Sequence, residues 1–213
     1  MKRLIPQVML FTFIFHLTGC SQEKVIKLPQ PQTSGGMPLM EALMKRGTSR
    51  EFSSKELDLQ TLSNLLWAAN GINRPEDGLK TAPSAVNWQE IDVYVSLLKG
   101  VYIYNALENQ LELYMKDDIR EATGRQPFVK DAPVNLIYVA DFTRMGDRDE
   151  TTKHWYSAAD AAFIAQNVYL FCASENLAAV IRGAVEKEEL KKVMNLPAHK
   201  HVVLCQSVGY HPE

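Results

Sequence analysis

Two arginines and a threonine at alternate positions, in Arg46-Gly47-Thr48-Ser49-Arg50, form the group in this chain best suited to gripping an anion. In an extended backbone, residues two apart share a face. Both guanidinium forks and the hydroxyl would then converge, a donor set that matches a phosphate. A solvated basic turn has the same composition, and the stretch alone does not separate the two readings. A second stretch, Thr81-Ala82-Pro83-Ser84-Ala85-Val86-Asn87-Trp88-Gln89, combines small residues with two carboxamides. Each amide offers a donor and an acceptor, as the edge of a pyrimidine ring requires; a loop capping its own backbone is the alternative. A third, Ala179-Val180-Ile181-Arg182-Gly183, reads as a strand leaving through a glycine, where a bare backbone N–H could meet a ring edge.

Other chemistry has weaker support. His199 and His201 share a face at the start of a strand, but no third ligand completes a metal site, so surface histidines are expected. Glu188-Glu189 with Lys191-Lys192 reads as a solvated helix face. There is no GxGxxG after a strand, no Walker A motif, no GxSxG and no HExxH. A net charge of −2 gives no sign of a nucleic-acid partner.

These stretches need a frame. Pro38 to Lys45 predicts a short helix with Leu39 and Leu43 inward, and Met40 and Met44 as further inward candidates. Ser54 or Asp58 caps a second helix, in which Leu59, Leu62, Leu65, Leu66 and Ala69 recur at helical spacing, and Gly71 closes it. Residues 73–80 read as a loop. Ile91–Leu97 alternates as a strand, and residues 100–104 and 111–114 make a hairpin around Glu108-Asn109. Asp117–Thr123 is a short helix. The apolar run Val134–Ala140, interrupted only by Asn135, predicts a central strand. Residues 141–152 read as a charged loop before the longest helix, from about Tyr156 to Asn176. Its wide face of Ala158, Ala161, Ala162, Ala165, Val168, Tyr169 and Cys172 predicts packing on most sides. A short strand at Leu177–Ile181, a helix at Glu186–Met194 and a last strand at His201–Val208 follow. This order points to an α+β fold with a central mixed, mostly antiparallel sheet flanked by helices.

The N-terminus stands apart. Lys2 and Arg3 precede an apolar run, Val8–Phe15, that is too short for a bilayer span of ~20 residues but suits a secretory signal. Leu17-Thr18-Gly19-Cys20 resembles the lipobox of bacterial lipoproteins, in which Cys20 becomes the lipidated first residue; a generic signal with an incidental cysteine is the alternative. Ser21, in place of Asp, favours the outer membrane. Residues 1–19 are thus expected to be removed, 20–36 to form a flexible tether, and 37–213 to fold, lipid-anchored in a bacterial envelope and facing the periplasm. Cys172 and Cys205 remain; a disulfide is open to them, and two separate buried thiols are expected.

In this order and at these separations, the three stretches resemble the FMN-dependent nitroreductase superfamily. Arg46-x-Thr48-x-Arg50 resembles the family's Arg-x-Ser-x-Arg/Lys contact with the flavin phosphate and ribityl chain, and residues 83–89 resemble its Pro-Ser-x-x-Asn-x-Gln segment. Ile181-Arg182-Gly183 falls where the family places a backbone amide facing flavin N5. Trp155-Tyr156-x3-Asp160 and Gln166-Asn167 are similar to the branch containing azoline-oxidising dehydrogenases. The resemblance covers roughly residues 38–210.

It implies a nitroreductase-like, intertwined homodimer with two FMN sites at the interface. Arg46, Gly47, Thr48, Arg50 and the backbone of Ile181, Arg182 and Gly183 would surround one flavin. Pro83, Ser84, Ala85 and Asn87 would come from the partner, Gln89 is a further cofactor-binding candidate, and the alanine-rich helix face would form much of the seam. The implied reaction is hydride transfer through N5, from a reduced donor (NAD(P)H in the family) to a nitroaromatic, quinone or similar acceptor. It requires no side chain as acid or base. Two other readings are an FMN-dependent dehydrogenase of a peptide-like substrate without nicotinamide, and a non-catalytic flavin-binding lipoprotein. The chain also departs from the pattern. Gly47 stands where many members carry a second basic residue, and Ala162 where the related branch often has Gly. The tail ends at Glu213, short of a Lys or Arg that helps relatives hold the phosphate, which leaves His211, when protonated, as the substitute. A periplasmic site also implies a donor other than cytosolic nicotinamide.

Overall fold

The computed structural model describes residues 24–212; the expected signal segment and Cys20 lie outside the described residues. In chain order the strands are β1 (Val25–Lys27), β2 (Ile72–Arg74), β3 (Leu79–Lys80), β4 (Ile91–Leu97), β5 (Gly100–Asn105), β6 (Gln110–Met115), β7 (Val134–Asp141), β8 (Leu177–Arg182) and β9 (Lys200–Tyr210). The helices are α1 (Leu39–Lys45), α2 (Leu59–Asn70), α3 (Glu150–Ser174) and α4 (Lys187–Val193). β2 and β3 pair as a small hairpin inside the expected 73–80 loop. Seven strands form one sheet in the order β1-β6-β5-β4-β7-β9-β8.

β7 sits inside this sheet, and all eight of its residues are buried. Alternation sends its side chains to two cores. Val134, Leu136, Tyr138 and Ala140 join the larger one with residues of α2 and α3, while Ile137 and Val139 join a smaller one with Leu190 of α4. The fold is α+β, with helices on both faces of the sheet.

Every pairing in the seven-stranded sheet is antiparallel, where a mixed, mostly antiparallel sheet is expected from the sequence. The connection through α3 does carry the chain from β7 to β8, but β9 then returns between them and pairs antiparallel with both.

Residues 24–36 do not form a free tether. Val25-Ile26-Lys27 pairs with β6, and Ile26 and Leu28 are buried in the larger core. The Pro29 carbonyl accepts Ser63 Oγ–H at 2.5 Å and Asn109 Nδ2–H at 2.8 Å. A period-two apolar pair thus completes the sheet edge, and the folded domain begins well before residue 37.

α3 starts six residues before the expected Tyr156 because Asp149 caps it, accepting Thr152 N–H at 2.9 Å and Thr152 Oγ1–H at 2.6 Å. Its charged first turns resemble a loop in composition. The helix is not covered on most sides, since Trp155, Ala158, Ala162 and Phe163 are exposed. α1 is likewise not turned inward: Leu39, Met40, Leu43 and Met44 are 45–78% exposed, and only Ala42 is buried. Gly71 ends α2 without a left-handed backbone (φ −73°); a Cβ there would lie 2.7 Å from the Trp67 backbone. Cys172 and Cys205 are buried free thiols, both pushed up by burial, Cys205 to about 12.

Candidate functional site

Residues 46–50 leave α1 as a strap along the open edge of β8, where Ser49 N–H donates to Ala179 O at 3.0 Å. Tyr169, on the buried side of α3, lies beneath the strap. Its hydroxyl accepts Ile181 N–H at 2.9 Å and shares a 3.2 Å hydrogen bond with Thr48 Oγ1. The Arg46 guanidinium lies 5.3 Å from the centroid of the same ring, within cation–π range. Arg46 and Thr48 therefore share a face, and Arg50 is exposed beyond them. Among the described residues, neither arginine has a carboxylate partner. Gly47, Thr48 and His211 line one cleft of about 180 Å³, together with Lys45, Tyr169 and Asn176.

The third stretch divides. Ile181 N–H is engaged by Tyr169. Arg182 turns its side chain into the protein, donating to the Thr123 carbonyl and, at 2.8 Å, to Asn135 Oδ1. Burial there lowers its pKa from the usual value. Gly183 is exposed, and a Cβ built on it would come no closer than 3.8 Å to Leu204, so the backbone at this exit is open.

The 83–89 loop lies elsewhere. Val86, Asn87 and Gln89 all adopt left-handed conformations, with φ of 51°, 56° and 48°, unusual for non-glycine residues and most of all for a β-branched one. Five hydrogen bonds involving side chains hold them. Ala85 N–H donates to Asp160 Oδ2 at 2.9 Å, and Gln89 N–H donates to Ser84 Oγ at 2.9 Å. Gln89 Nε2 donates to Gly78 O and Asn87 Oδ1, both at 3.1 Å, and Arg144 donates to Gln89 O at 2.9 Å. The Gln89 amide is thus occupied within the loop, whereas Pro83, Val86 and Asn87 are exposed. Asp160 and Tyr169 lie nine positions apart on α3, roughly 13 Å along its axis. Within one chain, the loop and the strap therefore attach to different turns of one helix and do not meet.

Beneath the loop, Glu90 is fully buried, and among the described residues neither carboxyl oxygen has a hydrogen-bond partner of good geometry, with Asp160 and Ser157 beside it. Burial, with the neighbouring Asp160 adding to it, pushes its pKa up to about 7. Asp160 is also raised, chiefly by burial. Glu90 and Tyr169 went unmarked as site residues in the sequence. An acid beside Gln89 looks like loop surface, and a tyrosine on an apolar helix face looks like core. A buried hydroxyl's need for partners was the available signal for Tyr169.

His201 stacks on Phe142 at 4.1 Å between centroids, with His154 edge-on at 5.2 Å. Among the described residues, no group of three or more His, Cys, Asp or Glu is placed to hold a metal ion.

Residues 43–210 match the profile described as the nitroreductase family. A protein of Methanocaldococcus jannaschii, provisionally named a nitroreductase, is 31% identical over 185 residues, covering 80% of this chain and 90% of its own. The crystal structure of a provisionally named nitroreductase from Ralstonia eutropha matches with a TM-score of 0.86 and 42% identity, covering 90% of this chain and 91% of that one. The NADPH:FMN oxidoreductase of Vibrio harveyi, solved with NAD+, shares the fold at a TM-score of 0.61 and 17% identity, over 82% of this chain and 69% of that one.

Proposed function

The chain belongs to the nitroreductase family, and on that premise we propose that it is an FMN-dependent oxidoreductase that passes a hydride from a reduced donor to a nitroaromatic, quinone or similar acceptor. The observation that carries the FMN assignment is the strap: Thr48 lines a cleft of about 180 Å³, and it is flanked in the chain by two arginines that have no carboxylate partner among the described residues. That donor set fits a phosphate monoester in charge and hydrogen-bonding capacity.

Bound FMN would supply hydride acceptance and donation at N5. The remaining work falls to the chain. Arg46 and Arg50 would neutralise the phosphate, Thr48 would donate to it, and His211 would border the cleft that takes it. The open backbone at Gly183 offers an N–H to the ring. Asn87, exposed on the 83–89 loop, offers its amide to the flavin of a second copy. The exposed apolar side chains of α1 and α3 are the surface such a copy would cover, which supports a homodimer. The sequence at Cys20 supports a lipid-anchored envelope protein, and so a hydride donor available outside the cytosol.

The test is the spectrum of the purified domain. Wild type should show flavin bands, and Arg46→Ala with Arg50→Ala should purify colourless with unchanged circular dichroism. A double variant that stays yellow removes the phosphate assignment. Anaerobic addition of NADPH then tests the donor: bleaching identifies a nicotinamide, and persistence of the flavin bands assigns the reducing role to another class.

A further inference from the structure

The geometry points to Tyr169 as the positioning residue that sets the polarity of the Thr48 hydroxyl, so that Thr48 presents its hydrogen to an anionic phosphate. This rests on the FMN reading above. The argument is one of donors and acceptors. A backbone N–H can only donate, so in its 2.9 Å contact with Ile181 N the Tyr169 oxygen is an acceptor. A phenol has a single hydrogen. That hydrogen is therefore available to the other neighbour, Thr48 Oγ1, at 3.2 Å. Thr48, accepting from Tyr169, keeps its own hydroxyl hydrogen free. Because Thr48 is exposed and lines the cleft, that hydrogen is free to turn to the side on which an anion would sit.

The contact allows either hydroxyl to donate, and the sense proposed for this relay is the one that leaves an anion a donor: Ile181 N–H to Tyr169 Oη, Tyr169 Oη–H to Thr48 Oγ1, and Thr48 Oγ–H to the ligand. Without the tyrosine hydroxyl, Thr48 could turn its hydrogen towards its own surroundings, and the ligand would meet a lone pair. Tyr169 is 7% exposed and its ring also carries Arg46, so one buried aromatic organises two of the strap's three candidate phosphate contacts, Arg46 and Thr48.

The experiment compares FMN with riboflavin, which lacks the phosphate, by fluorescence titration of flavin-free full-length domain. Tyr169→Phe keeps the ring and the Arg46 stack and removes the relay. It should weaken FMN about tenfold, the size expected for losing one hydrogen bond to a charged group, and leave riboflavin unchanged. Thr48→Val should do the same, Thr48→Ser should retain FMN affinity, and the Thr48→Val/Tyr169→Phe pair should lose no more than Thr48→Val alone. Equal weakening of both flavins by Tyr169→Phe, or additive losses in the double variant, would overturn the relay. If Tyr169→Phe does not fold, replacement of Tyr169 by a ring-fluorinated tyrosine keeps the shape. Its phenol ionises at lower pH and then cannot donate to Thr48, so FMN affinity should fall above that pH while riboflavin affinity holds; parallel behaviour of the two overturns the relay. Wild type binding FMN no more tightly than riboflavin would instead remove the phosphate site itself.

Discussion

Asp160 and Ala85 are joined by a 2.9 Å hydrogen bond from backbone N–H to carboxylate, which fastens the 83–89 loop to the middle of α3. Three of the loop's residues hold left-handed backbones, so the loop depends on such ties to keep its shape. Asp160→Ala should leave the Ala85 N–H without a partner and cost about 1–3 kcal/mol. Asp160→Asn, which keeps an acceptor, should cost less. Hydrogen exchange at residues 83–89 should rise in the alanine variant while the β7 amides stay protected; unchanged loop exchange would show that the tie is dispensable.

Glu90 predicts a pH dependence of opposite sign to that of ordinary carboxylates. Its folded pKa is raised to about 7 from 4.5, so the folded state holds a proton that the unfolded state releases. The stabilisation is fully present below pH 4.5 and is lost as pH rises through about 7. Glu90→Gln abolishes this contribution. The stability of the variant relative to wild type should therefore increase between those limits, by on the order of 3 kcal/mol at pH 8. Urea unfolding at several pH values measures the difference, and a pH-independent difference would contradict it.

Arg182 predicts a separation between stability and cofactor binding. Its guanidinium is buried and bonded to Thr123 and Asn135, away from the strap. Arg182→Ala should destabilise by about 2–4 kcal/mol through unpaired buried acceptors. At temperatures where the variant remains folded, it should bind FMN as wild type does. A selective loss of FMN would place the side chain in the site after all.

The exposed apolar face of α1 predicts an assembly. Met40→Asp with Met44→Asp puts charge on side chains that are 75% and 78% exposed and have no core role in the single chain. The variant should keep its circular dichroism and sediment as a monomer where wild type sediments as a dimer. A wild-type monomer would refute the dimer itself.

What the sequence showed depended on the length and context of each pattern. β7, α2 and the β5–β6 hairpin carry long or well-punctuated signals and lie where expected. β1 does carry the alternation Val25-Ile26-Lys27-Leu28, but it is three residues long and sits among prolines and glutamines, so its pairing with β6 is a tertiary fact. The apolar residues of α1 implied burial, but not against which surface. At the candidate site, the Arg46-Thr48 face was legible because alternation is a local property. The burial of Glu90 and the two partners of Tyr169 arise from segments far apart in the chain, which no local pattern encodes.

The docking of β1 has a consequence for how an anchored form would meet its redox partners. Only three residues separate Cys20 from Lys24, a span of at most roughly 14 Å when fully extended. A lipid on Cys20 would hold the domain on a short leash, with β1 the described strand nearest the anchor. β8 and the strap lie at the opposite edge of the sheet, so the candidate site would face away from the bilayer and meet soluble donors and acceptors more readily than membrane-borne quinones.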